Sequence, residues 1–369
     1  MMKIKKITLY QIALELKNPF VTSYGKVTKR PSIVIEIEDK DGFIGLGECV
    51  AFSDPFYTEE TLHTCLHIMK EFLIPLLFKE RIKHPDEVGA RFIPIRRNNM
   101  SKAALEGAVW DLYAKRERLS LANAIGGTKK EIEIGIAIGL KKVPEMLAQI
   151  EKSLAQGYKR VKIKIKPGIE HEILEAIRNS FPHLPLMVDA NSAYTVKDFE
   201  ILKSLDRYDL MMIEQPLACD DLFYHAKLQE KITTPICLDE SITSVHDLKV
   251  ALEMRSCKVV NLKPSRVGGI SAAKSIHDLC KEHNIALWGG GMLEAGIARA
   301  QALALYSLPH FSLPADTAGS NKYWENDIIL PEIKMNNGII KVSENIGIGY
   351  KLNQDILKKV LVHKEIFYN

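Results

Sequence analysis

Five charged residues in the middle of the chain each close a short apolar run, and they recur at almost constant spacing. The runs end at Lys164, Asp189, Glu214, Asp239 and Lys263. Three of the steps between them are 25 residues long and the last is 24. Because the surrounding residues differ, the repeat is one of structure rather than of sequence. We therefore predict that these five side chains meet in one site.

The first of these runs, residues 160–166, alternates lysine with β-branched residues. Alternation with a period of two places Lys162 and Lys164 on the same face of a strand. Taken alone, the run would be typical of an edge strand whose lysines lie in water. An inward lysine is costly unless negative charge compensates it, and three carboxylates end the next three runs. This arrangement favours a functional site over a solvent-exposed strand.

The carboxylates and lysines indicate a particular chemistry. Asp189, Glu214 and Asp239 offer only hard oxygen ligands, which predicts Mg²⁺, with Mn²⁺ as a substitute, and disfavours zinc. Lys164 and Lys263 are candidate bases, whose pKa values we expect the metal and the neighbouring cations to lower toward neutrality. A metal beside a lysine base suits removal of a proton next to a carboxylate, because the enediolate that forms is strongly negative. The predicted partner is a small-molecule carboxylate.

Segments of helical spacing separate the apolar runs. A strand, a loop and a crossover helix fill about 25 residues, and uninterrupted apolar strands are typical of a parallel sheet that is covered on both faces. Repeated units of this kind close into a barrel, whose catalytic groups lie at the carboxyl ends of the strands. We predict the first barrel strand at residues 131–139 and a last, weak strand at 311–313.

The flanking sequence predicts further domains. Residues 3–50 have the pattern of an antiparallel meander, with strands at 4–16, 32–38 and 42–49, followed by helices. The segments 18–25 and 51–57 between them are either active-site loops or ordinary surface turns, and the sequence favours neither. We predict a capping domain at residues 1–125, a barrel at 126–327, and a segment at 328–369 that returns to the capping domain.

Composition limits the class of protein. The 369 residues carry a net charge of +4 with acids and bases interspersed, which disfavours a nucleic-acid partner. The six cysteines form no C-x-x-C pair, and no apolar stretch approaches the ~18 residues that a membrane span requires. We predict a cytoplasmic protein without a membrane partner, and we expect a homo-oligomer.

Six short motifs together resemble the enolase superfamily, in its muconate-lactonising subgroup. They are Lys162-Ile163-Lys164, Val188-Asp189-Ala190-Asn191, Ile213-Glu214-Gln215-Pro216, Leu238-Asp239-Glu240-Ser241, Leu262-Lys263-Pro264 and Gly289-Gly290-Gly291-Met292. Within that subgroup the chain is similar to the branch of Gram-positive o-succinylbenzoate synthases and N-acylamino acid racemases. The resemblance implies an α/β fold: a (β/α)7β modified TIM barrel, with an α+β N-terminal capping domain that the C-terminal tail completes.

The resemblance also implies roles for individual residues. Lys164 would remove the α-proton and then help to expel hydroxide, and Lys263 would act from the opposite face. Asp189, Glu214 and Asp239 would bind Mg²⁺. The residues implied to bind or support the substrate are Lys162, Asn191, Glu240, Arg266, Gly290 and Met292. Ala137 departs from the serine expected in many relatives, which removes one hydrogen bond to the substrate.

Several functions remain open at this point. The resemblance favours the synthase reaction of menaquinone biosynthesis, which dehydrates a cyclohexadiene carboxylate, with racemisation of N-acyl or N-succinyl amino acids beside it. A dedicated racemase would use the same residues, because two opposed lysines serve both reactions. The remote alternatives are an aldolase that forms a Schiff base on a lysine, which needs no metal, and a barrel without catalytic activity.

Overall fold

The structure of the protein, a computed structural model, describes residues 1–22 and 25–369, and their side chains except those of 19–22 and 25–27. Elements are numbered in chain order. The strands are β1 Ile4–Thr22, β2 Gly25–Asp39, β3 Ile44–Cys49, β4 Glu131–Glu133, β5 Ile136–Ile138, β6 Val161–Lys164, β7 Leu186–Asp189, β8 Ile213–Glu214, β9 Ile236–Leu238, β10 Val259–Leu262, β11 Ala286–Gly289, β12 Ile329–Leu330, β13 Met335–Asn336, β14 Ile339–Lys341, β15 Lys351–Leu352 and β16 Leu361–Tyr368. The α-helices are α1 Leu62–Ile68, α2 Ile74–Lys79, α3 Asp86–Phe92, α4 Asn99–Arg116, α5 Leu121–Ile125, α6 Val143–Ala155, α7 Glu170–Ser180, α8 Phe199–Ser204, α9 Leu222–Gln229, α10 Val245–Met254, α11 Pro264–Val267, α12 Ile270–Glu282, α13 Gly296–Tyr306 and α14 Gln354–Val360.

The N-terminal strands form an antiparallel sheet in the order β16-β1-β2-β3. Apolar side chains on one face, among them Ile7 and Leu9, pack against α1–α4 and form a separate hydrophobic core. The two first strands are longer than predicted and extend into segment 18–25, with residue 20 opposite 27 and residue 22 opposite 25. Positions 23 and 24 of that predicted loop lie outside the described residues. The last strand, β16, comes from the C-terminal tail and pairs with β1.

Seven parallel strands, β5 to β11, form one curled sheet in sequence order. The strands are buried and their crossovers contain the helices α6–α12, as the 25-residue repeat predicted. Residues 311–316 complete the barrel in place of a regular eighth strand. Ser312 N–H and Asp316 N–H donate to β11, at 2.9 Å to Leu287 O and 2.8 Å to Gly289 O. On the other side, Gly135 N–H donates to Ala315 O at 2.8 Å. The predicted (β/α)7β fold class is confirmed.

The predicted strand at 131–139 is wrong as one element, because two strands replace it. Residues of β4 pair with β14 from the tail, whereas β5 pairs with β6 in the barrel. The break falls at Gly135, where an added Cβ would lie 2.6 Å from the guanidinium Nη2 of Arg160. The chain therefore changes sheets at the point where a buried arginine occupies the barrel interior.

Buried carboxylates of the capping domain fix it to the barrel by accepting hydrogen bonds from the first turns of two barrel helices. Glu106 on α4 accepts from Ile270 N–H at 2.8 Å and Ser271 N–H at 2.9 Å, at the start of α12. Glu48 on β3 accepts from Ala295 N–H at 2.8 Å, at the start of α13. Carboxylates stabilise the positive ends of helices. These contacts hold the cap over the carboxyl ends of the barrel strands.

No helix in the described part of the chain has the combined length and apolarity that crossing a bilayer demands.

Candidate active site

The five repeat residues lie together at the carboxyl ends of the barrel strands. Lys164, Asp189 and Glu214 are the last residues of β6, β7 and β8, and they are paired in register from strand to strand. Asp239 and Lys263 directly follow β9 and β10. A row of three neighbouring carboxylates is thus bordered by a lysine on either side.

Each border lysine contacts the carboxylate nearest to it. Lys164 Nζ lies 2.7 Å from Asp189 Oδ2, and Lys263 Nζ lies 2.7 Å from Asp239 Oδ2. The two lysines differ in exposure, because the Lys164 side chain is 35% exposed and that of Lys263 is 8% exposed. Lys164 is therefore open to a ligand from the cleft, while Lys263 is held in a buried network.

Lys162 lies below Lys164 in the barrel. Its ammonium is 3.1 Å from Glu214 Oε2 and 3.3 Å from Asp189 Oδ2. Glu214 also accepts a hydrogen bond from Asn261 Nδ2 at 2.7 Å. Burial acts to lower the pKa of Lys162, but the surrounding carboxylates raise it well above its ordinary value. Lys162 is thus a fixed positive charge beneath the site.

The carboxylates repel one another in this buried position. Burial raises the pKa of Glu214 above its ordinary value, and the charge of Asp189 raises it further. Burial and the charge of Asp239 raise the pKa of Glu240 to about 7. A divalent cation would relieve this repulsion, because it would place positive charge among the oxygens.

The pKa of Lys263 differs from the expectation of a lowered value. Burial acts to lower it, but the carboxylate of Asp239 raises it above its ordinary value. The sequence argument counted the neighbouring cations and did not anticipate this direct ion pair. A ligand that draws negative charge from Asp239 would move the pKa of Lys263 downward.

The turns after β7 and β8 have a strained backbone. Asn191 and Gln215 have positive φ angles of 41° and 40°, in the left-handed region that favours glycine. The amide of Gln215 ties two strand ends together: its Oε1 accepts from Asp239 N–H at 3.0 Å, and its Nε2 donates to Ser241 Oγ at 2.7 Å. Strain of this kind is typical of functional sites, where surrounding contacts hold it in place. Gln215 thereby positions Asp239.

The capping domain contributes Tyr57 to the site from the segment 51–57. The Tyr57 hydroxyl accepts a hydrogen bond from Lys263 Nζ at 2.8 Å and another from Arg266 Nη1 at 2.9 Å. Arg266 also forms an ion pair with Asp239 and donates to Asn261 O at 2.6 Å. Lys263 therefore lies in a closed network of a tyrosine, an arginine and a carboxylate.

The remaining predicted residues surround this centre. Asn191 Oδ1 accepts a hydrogen bond from Lys164, and its Nδ2 donates to Glu240 Oε1 at 2.8 Å. Met292, Gly290 and Lys263 line a cleft between the cap and the barrel. Ala137 lies beside Lys162 in the register of β5 and β6. All of the predicted residues therefore lie at this end of the barrel.

The carboxylate oxygens of the site are the ligand type that a hard divalent cation prefers. They are not already arranged around a common metal position. In residues 1–22 and 25–369, no three acidic, histidine or cysteine side chains converge closely enough to hold a metal ion. Ammonium groups lie against the carboxylates instead. Glu240 Oε2 is buried and has no hydrogen-bond partner among the described residues. Asp189, Glu214 and Asp239, with Glu240 beside them, would hold the cation through oxygen alone.

Sequence reasoning missed several residues of the site. Asp316, at the end of the irregular eighth segment, lies 2.9 Å from Lys162 Nζ. The sequence feature that could have identified Asp316 is its position as a polar residue after a weak predicted strand, like the polar residues that end the earlier strands. Asn261 lies inside a predicted strand, where its polar side chain among apolar neighbours was the available signal. Tyr57 ends the segment 51–57, for which the sequence left an active-site loop and a surface turn equally open; the contact of Tyr57 with Lys263 favours the active-site loop.

Comparison with known proteins gives a consistent result over the whole chain. Residues 4–126 match the mandelate racemase / muconate lactonizing enzyme N-terminal domain, and residues 145–356 match the enolase C-terminal domain-like family. An o-succinylbenzoate synthase of Bacillus subtilis (strain 168) is 50% identical, covering 100% of this chain and 99% of that protein. An N-succinylamino acid racemase of Thermus thermophilus is 40% identical over 97% of both chains.

Solved structures agree with the sequence matches. An enolase superfamily member from Listeria innocua superposes with a TM-score of 0.98 at 45% identity, covering 100% of both chains. Enzymes of this superfamily use a divalent metal ion, which suits the oxygen ligands found here. Because both domains match family models and the full-length relatives are so similar, the chain belongs to the enolase superfamily, in its mandelate racemase / muconate-lactonising group.

Proposed function

We propose that the protein is a Mg²⁺-dependent o-succinylbenzoate synthase of menaquinone biosynthesis. It dehydrates 2-succinyl-6-hydroxy-2,4-cyclohexadiene-1-carboxylate to o-succinylbenzoate. The observation that carries the proposal is the pair of lysines, each 2.7 Å from the outer carboxylate on its side of a row of three. The B. subtilis relative, at 50% identity over the full length, supports the choice of substrate.

The chain's own residues account for each proton that moves in this reaction. The Lys164 amine takes the proton from the carbon next to the substrate carboxylate, and the electron pair of that C–H bond enters the enediolate. The enediolate then forms the new ring double bond as the neighbouring C–O bond breaks. The Lys164 ammonium returns its proton to the departing hydroxide, so that water leaves and the amine is restored.

Other residues stabilise the anion without exchanging protons in the dehydration. Mg²⁺, held by Asp189, Glu214 and Asp239, would share the negative charge of the enediolate oxygens. The buried ammonium groups of Lys162 and Lys263 add positive charge from below and from the opposite face. Because these charges are fixed by ion pairs before the substrate arrives, little reorganisation accompanies the reaction.

The same site supports racemisation of N-succinyl amino acids as a second activity. Lys263 faces Lys164 across the carboxylates, so one lysine can remove the α-proton while the other delivers a proton to the opposite face. The 40% identical Thermus thermophilus racemase supports this second reaction. Tyr57, which accepts hydrogen bonds from both Lys263 and Arg266, and Asp239, which is ion-paired with Lys263, fix the position of Lys263 for this proton transfer.

Paired assays on the purified enzyme test both activities. The values of kcat/KM for o-succinylbenzoate formation and for N-succinyl amino acid racemisation would be compared for wild type, Lys164→Ala and Lys263→Ala. Lys166→Ala is the matched control, because Lys166 follows the same strand and its side chain is exposed. We expect Lys164→Ala to abolish both reactions, Lys263→Ala to abolish racemisation, and the control to keep wild-type rates.

The outcomes separate the hypotheses. A dehydration rate far above racemisation supports the synthase, whereas the reverse would make the protein a dedicated racemase. Full activity in EDTA would refute the metal-dependent mechanism, and trapping of a substrate on lysine by borohydride would favour a Schiff-base enzyme instead. Exchange of Mg²⁺ for Mn²⁺ in the same assay tests the choice of metal.

Two further predictions belong to this proposal. We expect a homo-oligomer, which light scattering of the purified protein tests. We also expect a cytoplasmic location, because the reaction uses a small dissolved carboxylate, and cell fractionation tests it.

A further inference from the structure

The irregular segment that closes the barrel ends in a buried acid. Asp316 N–H donates to Gly289 O at 2.8 Å, which places the residue at the same level as the carboxyl ends of the other strands. Its side chain is 15% exposed, and its Oδ2 lies 2.9 Å from Lys162 Nζ. The segment thus brings a further carboxylate to the site, beside the four on β7, β8 and the loop after β9, from the side opposite Glu214.

Lys162 contacts three carboxylates, and Asp316 is the nearest. The distances from Nζ are 2.9 Å to Asp316, 3.1 Å to Glu214 and 3.3 Å to Asp189. The last two are the proposed metal ligands, whose oxygens a cation would engage. Asp316 is the one carboxylate of the three that is not a proposed metal ligand, and Lys162 is the nearest of the cations that act on it, ahead of Arg160 and Lys322.

The close approach of Asp316 depends on the glycine run after β11. A Cβ added at Gly291 would overlap with the carbonyl oxygen of Asp316. The ring of Trp288, whose centroid lies 5.1 Å from Lys162 Nζ, covers another side of the ammonium. The Trp288 ring and the Asp316 carboxylate therefore both contact the Lys162 ammonium, in addition to Glu214 and Asp189.

We propose that Asp316 is a positioning residue, which holds the Lys162 ammonium where it stabilises the substrate-derived anion. The proposal rests on the proposed function, in which Lys162 supplies positive charge to the enediolate. Asp316 acts through Lys162 and exchanges no proton itself. Without it, the ammonium would be drawn wholly to Glu214 and Asp189, away from the substrate and into competition with the metal.

A double-mutant cycle tests this dependence. The values of kcat and KM for o-succinylbenzoate formation would be measured at saturating Mg²⁺ for wild type, Asp316→Asn, Lys162→Met and the double variant. The effects of substitutions at two contacting residues are often non-additive. We therefore expect Asp316→Asn to lower kcat/KM by about 10- to 100-fold when Lys162 is present. In the Lys162→Met background the same change should cost less than about threefold.

A matched control separates positioning from loss of a buried ion pair. Asp111 is likewise buried and ion-paired, at 2.7 Å from Lys115, but it lies in the capping domain and binds the backbone of Leu46 and Ile348. Asp111→Asn should lower the melting temperature and leave kcat/KM unchanged. Asp316→Glu keeps the charge and should recover part of the activity; it replaces Asp316→Asn in the cycle if that variant does not fold.

The proposal is overturned if Asp316→Asn costs the same in both backgrounds, since Asp316 would then act without Lys162. It is also overturned if Asp316→Asn has wild-type kcat/KM. A wild type that converts neither the cyclohexadiene carboxylate nor an N-succinyl amino acid would refute the proposed function, and this inference with it. An active wild type with an uncoupled Asp316 would refute the inference alone.

Discussion

Gly290 is the position where the smallest change should disturb the site most. A Cβ at this residue would overlap with Asn261 Oδ1 and would lie 2.6 Å from Lys263 Cε. Asn261 cannot move without weakening its 2.7 Å hydrogen bond to Glu214. Gly290→Ala therefore displaces a candidate base and a partner of a proposed metal ligand at once.

The size of the effect follows from these distances. Carbon atoms in contact are about 3.5–4.0 Å apart, so Lys263 Cε must retreat by roughly 1 Å. A displacement of about 1 Å of a reacting group costs on the order of 100-fold in rate. Weakening a hydrogen bond to a buried carboxylate costs about 1.5–3 kcal/mol of stability. We expect kcat for racemisation, in which Lys263 exchanges a proton, to fall by about two orders of magnitude, kcat for dehydration to fall less, and the melting temperature to fall by several degrees.

The assay compares kcat for dehydration and racemisation, and the melting temperature, in Gly290→Ala and in Gly89→Ala. Gly89 is an exposed residue of α3, where an added Cβ meets nothing within 4 Å. Alanine there should stabilise the helix by up to about 1 kcal/mol and leave both rates unchanged. A Gly290→Ala enzyme with kcat within threefold of wild type would refute the packing argument.

Three further predictions concern groups around this centre. Tyr57→Phe removes the hydroxyl that accepts hydrogen bonds from Lys263 and Arg266. Because racemisation needs proton exchange at Lys263, we expect its kcat/KM to fall about tenfold more than that of dehydration. Equal losses in the two reactions would contradict this. Burial raises the pKa of Glu294 to about 7, so the folded protein keeps a proton that the unfolded chain loses above about pH 4.5, and stability falls as the pH rises to 7. Glu294→Gln, measured by thermal melts between pH 4.5 and 8, should flatten that fall by about 3 kcal/mol at most, whereas an unchanged slope would refute the assignment. Mg²⁺ should raise the melting temperature of EDTA-treated protein progressively with concentration, and a constant melting temperature would count against a metal site.

The strand-end residues could be predicted because one structural unit sets their spacing. Each strand, loop and helix uses nearly the same number of residues, so the polar ends return in register even where the sequence does not repeat. The eighth segment breaks this regularity, since Pro314 cannot donate to a sheet and its apolar run is short. Asp316 was missed for that reason.

Contacts between domains could not be predicted, because they depend on how the cap docks rather than on local pattern. Tyr57 lies far from Lys263 in sequence, and only the folded structure brings the two within 2.8 Å. The break at Gly135 likewise depends on a residue distant in sequence, since the buried guanidinium that requires it belongs to Arg160, directly before β6. The raised pKa of Lys263 also depended on an ion-pair distance that spacing alone does not give.

The pairing of β16 with β1 sets the order in which the chain can fold during synthesis. The ribosome synthesises the whole barrel between these two strands, so β1 emerges long before β16, its partner on one side, has been made. Until then one edge of the N-terminal sheet remains unpaired, and such edges are prone to pair with other chains. Closing the sheet brings together distant parts of the sequence, which is a slow kind of step. The nascent chain is therefore most vulnerable to aggregation while its barrel is being made.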